Sequence, residues 1–282
     1  MKIKYLLLLF VLSFYLSGCD FTMEDNANAN IKFDVNTTAD NKEFQLGIQS
    51  TEVIIDWGDG TQDIKNGESG QEIATYSHTY AQKGTYRVTL STLRVTGIDT
   101  YRDYPVTNLE INECPFLMKL DLNNIADLKT FSPSGCKNLY ALTIKDCVSL
   151  YDIDLSRLPR LAGISLINTG LTDLDISKNK WLRNVNIQDS PFTDISFEKN
   201  KDLREVAFKN TKIKNLSFAQ NTKLYSLYSI DNLMDTNDID FMFITLPMFS
   251  EIEAEKVLSV RGNPGEKLCT QSIAKTKGWQ IK

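Results

Sequence analysis

The sequence predicts a mainly β protein in two parts, with a small α/β unit closing its C-terminus. Three observations carry this. Residues 31–104 alternate apolar and polar positions between clusters of turn residues, the pattern of half-buried strands. Leu161, Leu182, Leu203 and Leu224 then recur every 21 residues, and the other apolar columns keep the same interval. A fixed period of that length marks a solenoid. After Asn232 the interval stops and helical spacing begins.

Composition sets the outer bounds. The 282 residues suffice for two ordinary domains, and 42% apolar with 24% charged residues is globular usage. The formal net charge of −5 argues against nucleic acid or an anionic membrane surface as the main partner. One histidine in the whole chain leaves little for a histidine-based active site or metal cluster.

Residues 1–19 read as a leader. Lys2 and Lys4 form a basic n-region, and Tyr5 to Tyr15 is an apolar run too short to span a bilayer as a helix. The run ends in Leu16-Ser17-Gly18-Cys19. This resembles a bacterial lipobox, which implies a lipidated Cys19 as first residue of the mature chain; the alternative is a secretory leader with a chance cysteine. Acyl chains on Cys19 would anchor the protein to a membrane. Residues 20–30 are polar, acidic and rich in Asn, and read as a flexible tether. The acidic residues after the cysteine resemble the surface-export signal of Bacteroidetes lipoproteins. That resemblance implies the outer membrane or cell surface.

Residues 31–104 follow as a small β-domain. Strands are expected at Ile31–Val35, Phe44–Ile48, Val53–Trp57, His78–Tyr80 and Gly84–Leu90. Gly58-Asp59-Gly60-Thr61 is a tight turn, and Asn66 to Gly70 a second, exposed loop. The set WGDGT, HTY and GTYRVTL resembles a PKD-like domain, which implies an immunoglobulin-like β-sandwich acting as spacer or binding module. Trp57, Tyr80 and Tyr86 are expected in its core, and His78 as a brace for the turn. Asp56, Asp59 and Asp63 lie close enough to be oxygen ligands for calcium. Equally, such aspartates bond nearby backbone N–H groups.

Residues 105–232 form the solenoid. Ile164, Val185, Val206 and Leu227 make one inward column. Asn179, Asn200 and Asn221 make another that runs back through Leu158 to Cys136 and Cys114. A second column lies half a repeat away, at Ile125, Cys147, Thr169, Ser190, Thr211 and Asn232. The reading is five to six coils from Val106, each of two half-turns, with short parallel strands on two faces. Leu171-Thr-Asp-Leu-Asp-Ile-Ser-Lys-Asn179 resembles the leucine-rich repeats of Bacteroidetes surface lipoproteins. Cys114 and Cys136 lie one coil apart, within disulfide reach, although an inward column of small groups favours buried thiols. No C-x-x-C pair is present, which speaks against a zinc site.

Function is sought on the outward positions. Asp152, Asp154, Asp173, Asp175 and Asp194 form an acidic stripe on one face. Like charges so close call for bound cations, nearby lysines or a basic partner, unless they simply follow the repeat consensus. The opposite face reads Asp121, Thr143, Ser165, Asn186, Ala207 and Tyr228, polar and nearly uncharged. With Tyr140 and Tyr225 it suits a glycan or a protein. Trp181 holds a turn position occupied by Arg160, Asp202 and Lys223 in other coils, either as a contact residue or packed on its neighbour.

Residues 233–282 should cap the stack. A helix from Thr236 to Leu246 (Thr236 as N-cap), a strand at Val257–Val260, a helix from Thr270 to Lys277 and a strand at Trp279–Ile281 are expected. The GNPG and KGW elements resemble the terminal cap of the same repeats. No G-K-[ST] follows Gly262 and Gly265, so nucleotide binding is not expected. The chain thus reads as a non-catalytic surface lipoprotein without a required cofactor, binding a protein or glycan through its repeats. The alternative is an accessory glycan-binding lipoprotein of a polysaccharide-utilisation system.

Overall fold

The computed structural model describes residues 29–66, 73–92, 94–100, 106–248 and 255–282. The leader with Cys19, most of the tether and residues 67–70 of the second loop lie outside them.

The first eight strands are β1 (Ala29–Thr37), β2 (Lys42–Ser50), β3 (Glu52–Asp56), β4 (Gln62–Asn66), β5 (Ala74–Tyr80), β6 (Gly84–Thr92), β7 (Val95–Asp99) and β8 (Val106–Asn112). One sheet has the order β4-β3-β6-β1-β8. Strands β7, β2 and β5 belong to a second sheet facing it. Alternating inward residues meet between the two: Phe33 of β1 and Phe44 of β2 have ring centroids 6.0 Å apart, and Trp57 lies edge-on to Phe44 at 6.3 Å. The expected strands all form. Three more were not expected here: β4, β7, and β8, whose residues the sequence assigns to the solenoid; β7 has the largest consequence.

Strand β7 pairs antiparallel with β2 on one side and parallel with β9 (Lys119–Asn123) on the other. The second sheet therefore continues unbroken into the solenoid. The ladder proceeds through β11 (Ala141–Lys145), β13 (Gly163–Ile167), β14 (Asn184–Gln188), β15 (Glu205–Lys209) and β16 (Ser226–Ile230). Pairing is parallel and in register throughout, so Ile98, Leu120, Leu142, Ile164, Val185, Val206 and Leu227 form one column, each at most 3% exposed. The Leu117, Leu139, Leu161, Leu182, Leu203 and Leu224 column is fully buried beside it. At about 1.5–3 kcal/mol per buried leucine, such columns are the main force stacking the coils.

The solenoid differs from expectation in three ways. It is longer than five to six coils: β7 starts the ladder, and β17 (Val257–Ser259) and β18 (Gln280–Ile281) extend it. Both extensions were hidden because strand β8 of the first sheet and two inserted helices break the 21-residue interval. Val106 does not begin the ladder; β8 instead pairs antiparallel with β1 in the first sheet. Regular strands line only one face. The opposite face has just a two-residue parallel pair, β10 (Thr130–Phe131) with β12 (Asp152–Ile153), and single inter-coil bonds such as Thr193 N–H to Thr172 O, 2.9 Å.

The C-terminus closes the stack. Helix α1 (Thr236–Thr245) buries Ile239, Met242 and Phe243 against the last coil. Its N-cap is Asp235 rather than Thr236. The Asp235 carboxylate accepts from Asp238 N–H while Asp238 accepts from Asp235 N–H, a reciprocal capping box. Helix α2 (Gln271–Thr276) and the buried Trp279 complete the cap, with Trp279 Nε1 donating to Pro247 O at 3.1 Å.

Candidate functional site

Two internal ladders set the spacing of everything presented outside. In the first, each asparagine side chain donates back to two carbonyls of the preceding coil. Asn200 Nδ2 reaches Ile176 O (3.0 Å) and Asn179 O (2.9 Å), and Asn179 and Asn221 repeat the pattern. Each of these carbonyls also accepts a backbone N–H within its own turn, so the amide fills its second acceptor position and ties one coil to the next. Cys114 and Cys136 hold the same column as fully buried thiols. The half-repeat column is also bonded, with Thr211 N–H and Oγ1 donating to Asn232 Oδ1 at 3.0 and 2.7 Å.

A further ladder escaped the sequence reading. Asn124, Asp146, Asn168, Asp189, Asn210 and Asp231 follow successive strands, all left-handed with φ of 51–55° or 50° at Asn210. Asn and Asp tolerate that region better than other side chains. They alternate along the stack, so Asn168 Nδ2 donates to Asp146 Oδ1 (2.8 Å) and Asn210 Nδ2 to Asp189 Oδ1 (2.9 Å). The signal was present: an Asn or Asp stands one residue before every member of the half-repeat column. Gly262 ends the series, because a Cβ there would lie 1.9 Å from Asp231 Oδ1.

The strand face carries Asp121, Thr143, Ser165, Asn186, Ala207 and Tyr228 as one outward row. All are partly exposed. Asn186 Nδ2 donates to Ser165 Oγ at 2.9 Å, and Gln188 Nε2 to Asn186 Oδ1 at 2.8 Å. Nearly uncharged describes this row but not the face. Lys145 and Lys209 end strands β11 and β15, and Arg183 and Arg204 immediately precede β14 and β15. Tyr225 stands in the same position one coil on, its hydroxyl donating to Glu205 Oε1 at 2.7 Å; burial and then that bond push the phenol up to about 12. Tyr140 precedes β11 in that same column and is half-buried. Trp181 lies two residues before Arg183 and is 60% exposed, so it projects rather than packs.

At the N-terminal end of this face Asp99 and Asp121 sit on adjacent rungs. Burial, then the charge of Asp121, push Asp99 up to about 6, against the pull of Lys119 and a 3.1 Å bond from Asn123 Nδ2. Lys119 Nζ is 2.8 Å from Asp121 Oδ2.

On the other side Asp152, Asp154, Asp173, Asp175 and Asp194 are all exposed. Two are tied into local turns. Asp154 is held below the usual carboxylate range by the hydroxyl and N–H of Ser156, and Asp175 by the N–H and hydroxyl of Ser177. The stripe's aspartates therefore shape turns as well as carry charge.

The aspartates of the N-terminal turn are engaged in the same way. Asp56 accepts from Gly58 N–H and Gln62 Nε2, Asp59 from Thr61, and Asp63 from Trp57 Nε1. Asp59 also faces His78 Nε2 at 2.7 Å, and the His78 ring stacks on Trp57 with centroids 4.9 Å apart. Burial raises the Asp59 carboxyl, but the bonds from Thr61 and His78 outweigh it and leave it low. Among the described residues no group of three or more His, Cys, Asp or Glu is arranged to hold a metal ion. Two shallow hollows, about 570 and 510 Å³, lie between Ala219, Thr222 and the Ile244–Met248 end of α1, and around Asp34 and Arg87 in the first sheet; neither is lined by the outward row of the strand face.

This geometry defines a leucine-rich-repeat-like β-solenoid joined to a two-sheet N-terminal unit. No family model matches the chain, and no curated protein matches it. Among solved structures it is similar to the functional domain of InlJ from Listeria monocytogenes, described as including a cysteine ladder. The identity is 16% and the TM-score 0.40, and the match covers 56% of this chain and 42% of that one.

Proposed function

We propose that this chain is a non-catalytic interaction module, anchored to the cell surface through a lipid on Cys19, that binds a protein or glycan through the strand face of its solenoid. The observation that carries the reading is the in-register ladder from β7 to β16. It holds hydroxyl, amide, guanidinium and aromatic groups at a fixed interval on one open surface. Open faces bind extended partners well and enclose reacting atoms poorly. The N-terminal unit fits a PKD-like spacer, which would hold the solenoid away from the membrane. No cofactor is proposed, and calcium at Asp56, Asp59 and Asp63 would have to displace the donors they already accept from.

The test is a glycan and protein-partner array probed with the purified full-length chain. A defined partner whose binding falls in Trp181→Ala or Tyr228→Ala is the expected result. A folded protein that binds nothing on the array, or a partner indifferent to both substitutions, would count against the strand face. A glycan partner would favour the narrower reading of an accessory lipoprotein in a polysaccharide-utilisation system.

A further inference from the structure

Beyond the strand face, we infer that the edge of the solenoid formed by the turns before its strands is a second binding surface, for a linear acidic polysaccharide. These turns are residues 132–138, 154–160, 175–181, 196–202 and 217–223, each ending one residue before an inward leucine. The asparagine ladder stacks them: Asn179, Asn200 and Asn221 Nδ2 donate to Leu158 O, Asn179 O and Asn200 O, one coil behind. The β11–β13 pairing aligns the first turn with the second. Their eight Lys and Arg outnumber their four Asp and Glu, on a chain whose net charge is −5. Four of the cations face an anion of their own. Lys199 bridges Glu198 at 3.0 Å and Lys223 bridges Asp202 at 2.5 Å. Asp154 and Asp175, held low first by Ser156 and Ser177, also feel Arg157 and Lys178. The other four, Lys137, Arg160, Lys180 and Lys201, are exposed and form no ion pair with any described residue. The preceding turn adds only Glu113, beyond Lys137. The edge is bordered on one side by the acidic stripe at Asp152, Asp173 and Asp194, and on the other by Arg183, Arg204 and Glu205. Asp146 and Asp189 lie past the far ends of β11 and β14.

The surroundings specify the ligand class. Lys180 and Lys201 follow Asn179 and Asn200, so stacking places their backbones about one strand spacing, ~4.8 Å, apart. Like charges so close are unfavourable, and an anion between them relieves the repulsion. Arg160 and Trp181 hold the next position on their coils, and Trp181 is 60% exposed, leaving its indole open to solvent. A row of cations with an exposed ring beside it suits a single polyanionic strand. Charge recurs along such a strand one ring at a time, as the cations recur from coil to coil. A flat anionic membrane or a globular acidic protein on this edge would also press against Asp152, Asp173 and Asp194 and be repelled. A single strand follows the turns and leaves that stripe in solvent. Nucleic acid calls for stacking rings at successive bases, and the edge offers one indole.

The experiment is calorimetry on the full chain with four probes: polygalacturonate, neutral dextran, single-stranded oligothymidine and phosphatidylglycerol vesicles. Polygalacturonate alone should bind, weakening as salt rises. Arg160→Gln, Lys180→Gln and Lys201→Gln together should weaken it on the order of tenfold or more, while Lys145→Gln with Lys209→Gln on the strand face should leave it within about twofold. Of the three tryptophans, Trp57 and Trp279 are at most 2% exposed, so Trp181 dominates quenching by acrylamide, and bound polygalacturonate should shield it. That readout needs no variant and serves if the triple variant fails to fold. Failure of polygalacturonate to bind overturns the inference, as does affinity unchanged in the triple variant or quenching unchanged by the ligand. Equal binding of oligothymidine or of the vesicles would overturn the saccharide. A partner lost in Tyr228→Ala, from a chain that does not bind polygalacturonate, would overturn this surface and leave the strand-face reading standing.

Discussion

Asn200 shows what one residue does in a stacked fold. It is fully buried, its amide feeds two carbonyls of the coil behind, and its own Oδ1 has no partner. Removing it takes away one of the two donors to Ile176 O and to Asn179 O, which keep their backbone bonds, and leaves a small cavity, but it also removes an unsatisfied oxygen. Asn200→Ala should cost about 2 kcal/mol in urea unfolding, while the neighbouring exposed Lys201→Ala should stay within about 0.5. Asp99 acts in the opposite sense. Its carboxyl titrates near 6 in the fold against an ordinary 3.8, so the fold binds the proton more tightly than the unfolded chain. Its contribution is greatest below pH 3.8 and is lost as pH rises through about 6. Melting temperature of the parent should therefore fall, relative to Asp99→Asn, between pH 4 and 6.5; parallel curves would refute the raised carboxyl. The asparagine was legible from its 21-residue recurrence. Asp99 was not, because its partner Asp121 is set beside it only by the β7–β9 pairing.

At the scale of elements, local chemistry decides where each piece begins and ends. Strands β9, β11, β13, β14, β15 and β16 each stop at a left-handed residue, and it is Asn or Asp in all six. The alternation along that ladder gives each bonded Asn amide an Asp carboxylate on the preceding coil, which no single repeat reveals. Helix α1 is similar: the apolar spacing of Ile239, Met242 and Phe243 gave the helix, while the cap belongs to Asp235, one residue earlier than Thr236. Both residues are good caps by type, and only the reciprocal bond to Asp238 separates them. Asp235→Ala should cost about 1 kcal/mol and raise hydrogen exchange at the Asp238 amide, whereas Thr236→Ala should do neither. At the far end Lys277 Nζ donates to Ile244 O and Leu246 O, so the cap is pinned to α1 by a side chain that sequence spacing does not connect to it.

Over the whole molecule one sheet of eleven strands runs from β18 to β5, and a single apolar cluster underlies it. The N-terminal unit is thus the first cap of the solenoid, as α1, α2 and β18 are the second. Stability in such a stack is carried by neighbour-to-neighbour contact. Deleting residues 184–204, one full coil, joins Arg183 to Glu205 and lets β13 pair with β15 in register. That protein should keep its β-sheet circular dichroism and unfold cooperatively at a lower temperature. Deleting only 184–194 joins unlike halves, turns inward positions outward, and should aggregate. Equal behaviour of the two deletions would show that the coil is not the unit of the fold.

The sequence by itself determined the repeat: which residues face inward, how the coils stack and which columns carry asparagine. A period is a one-dimensional property, and each coil repeats the same local solution with the same residue types. It also placed five of the eight N-terminal strands, the helices of the cap and the exposed row on the strand face. Only the tertiary structure decided where the solenoid begins and ends, because β7, β17 and β18 join the ladder through space after breaks in the interval. It likewise decided the charge of the strand face. Arg183, Arg204, Lys145 and Lys209 are scattered along the chain and come to share one surface with Glu205, Asp146 and Asp189 only when parallel pairing sets their coils side by side.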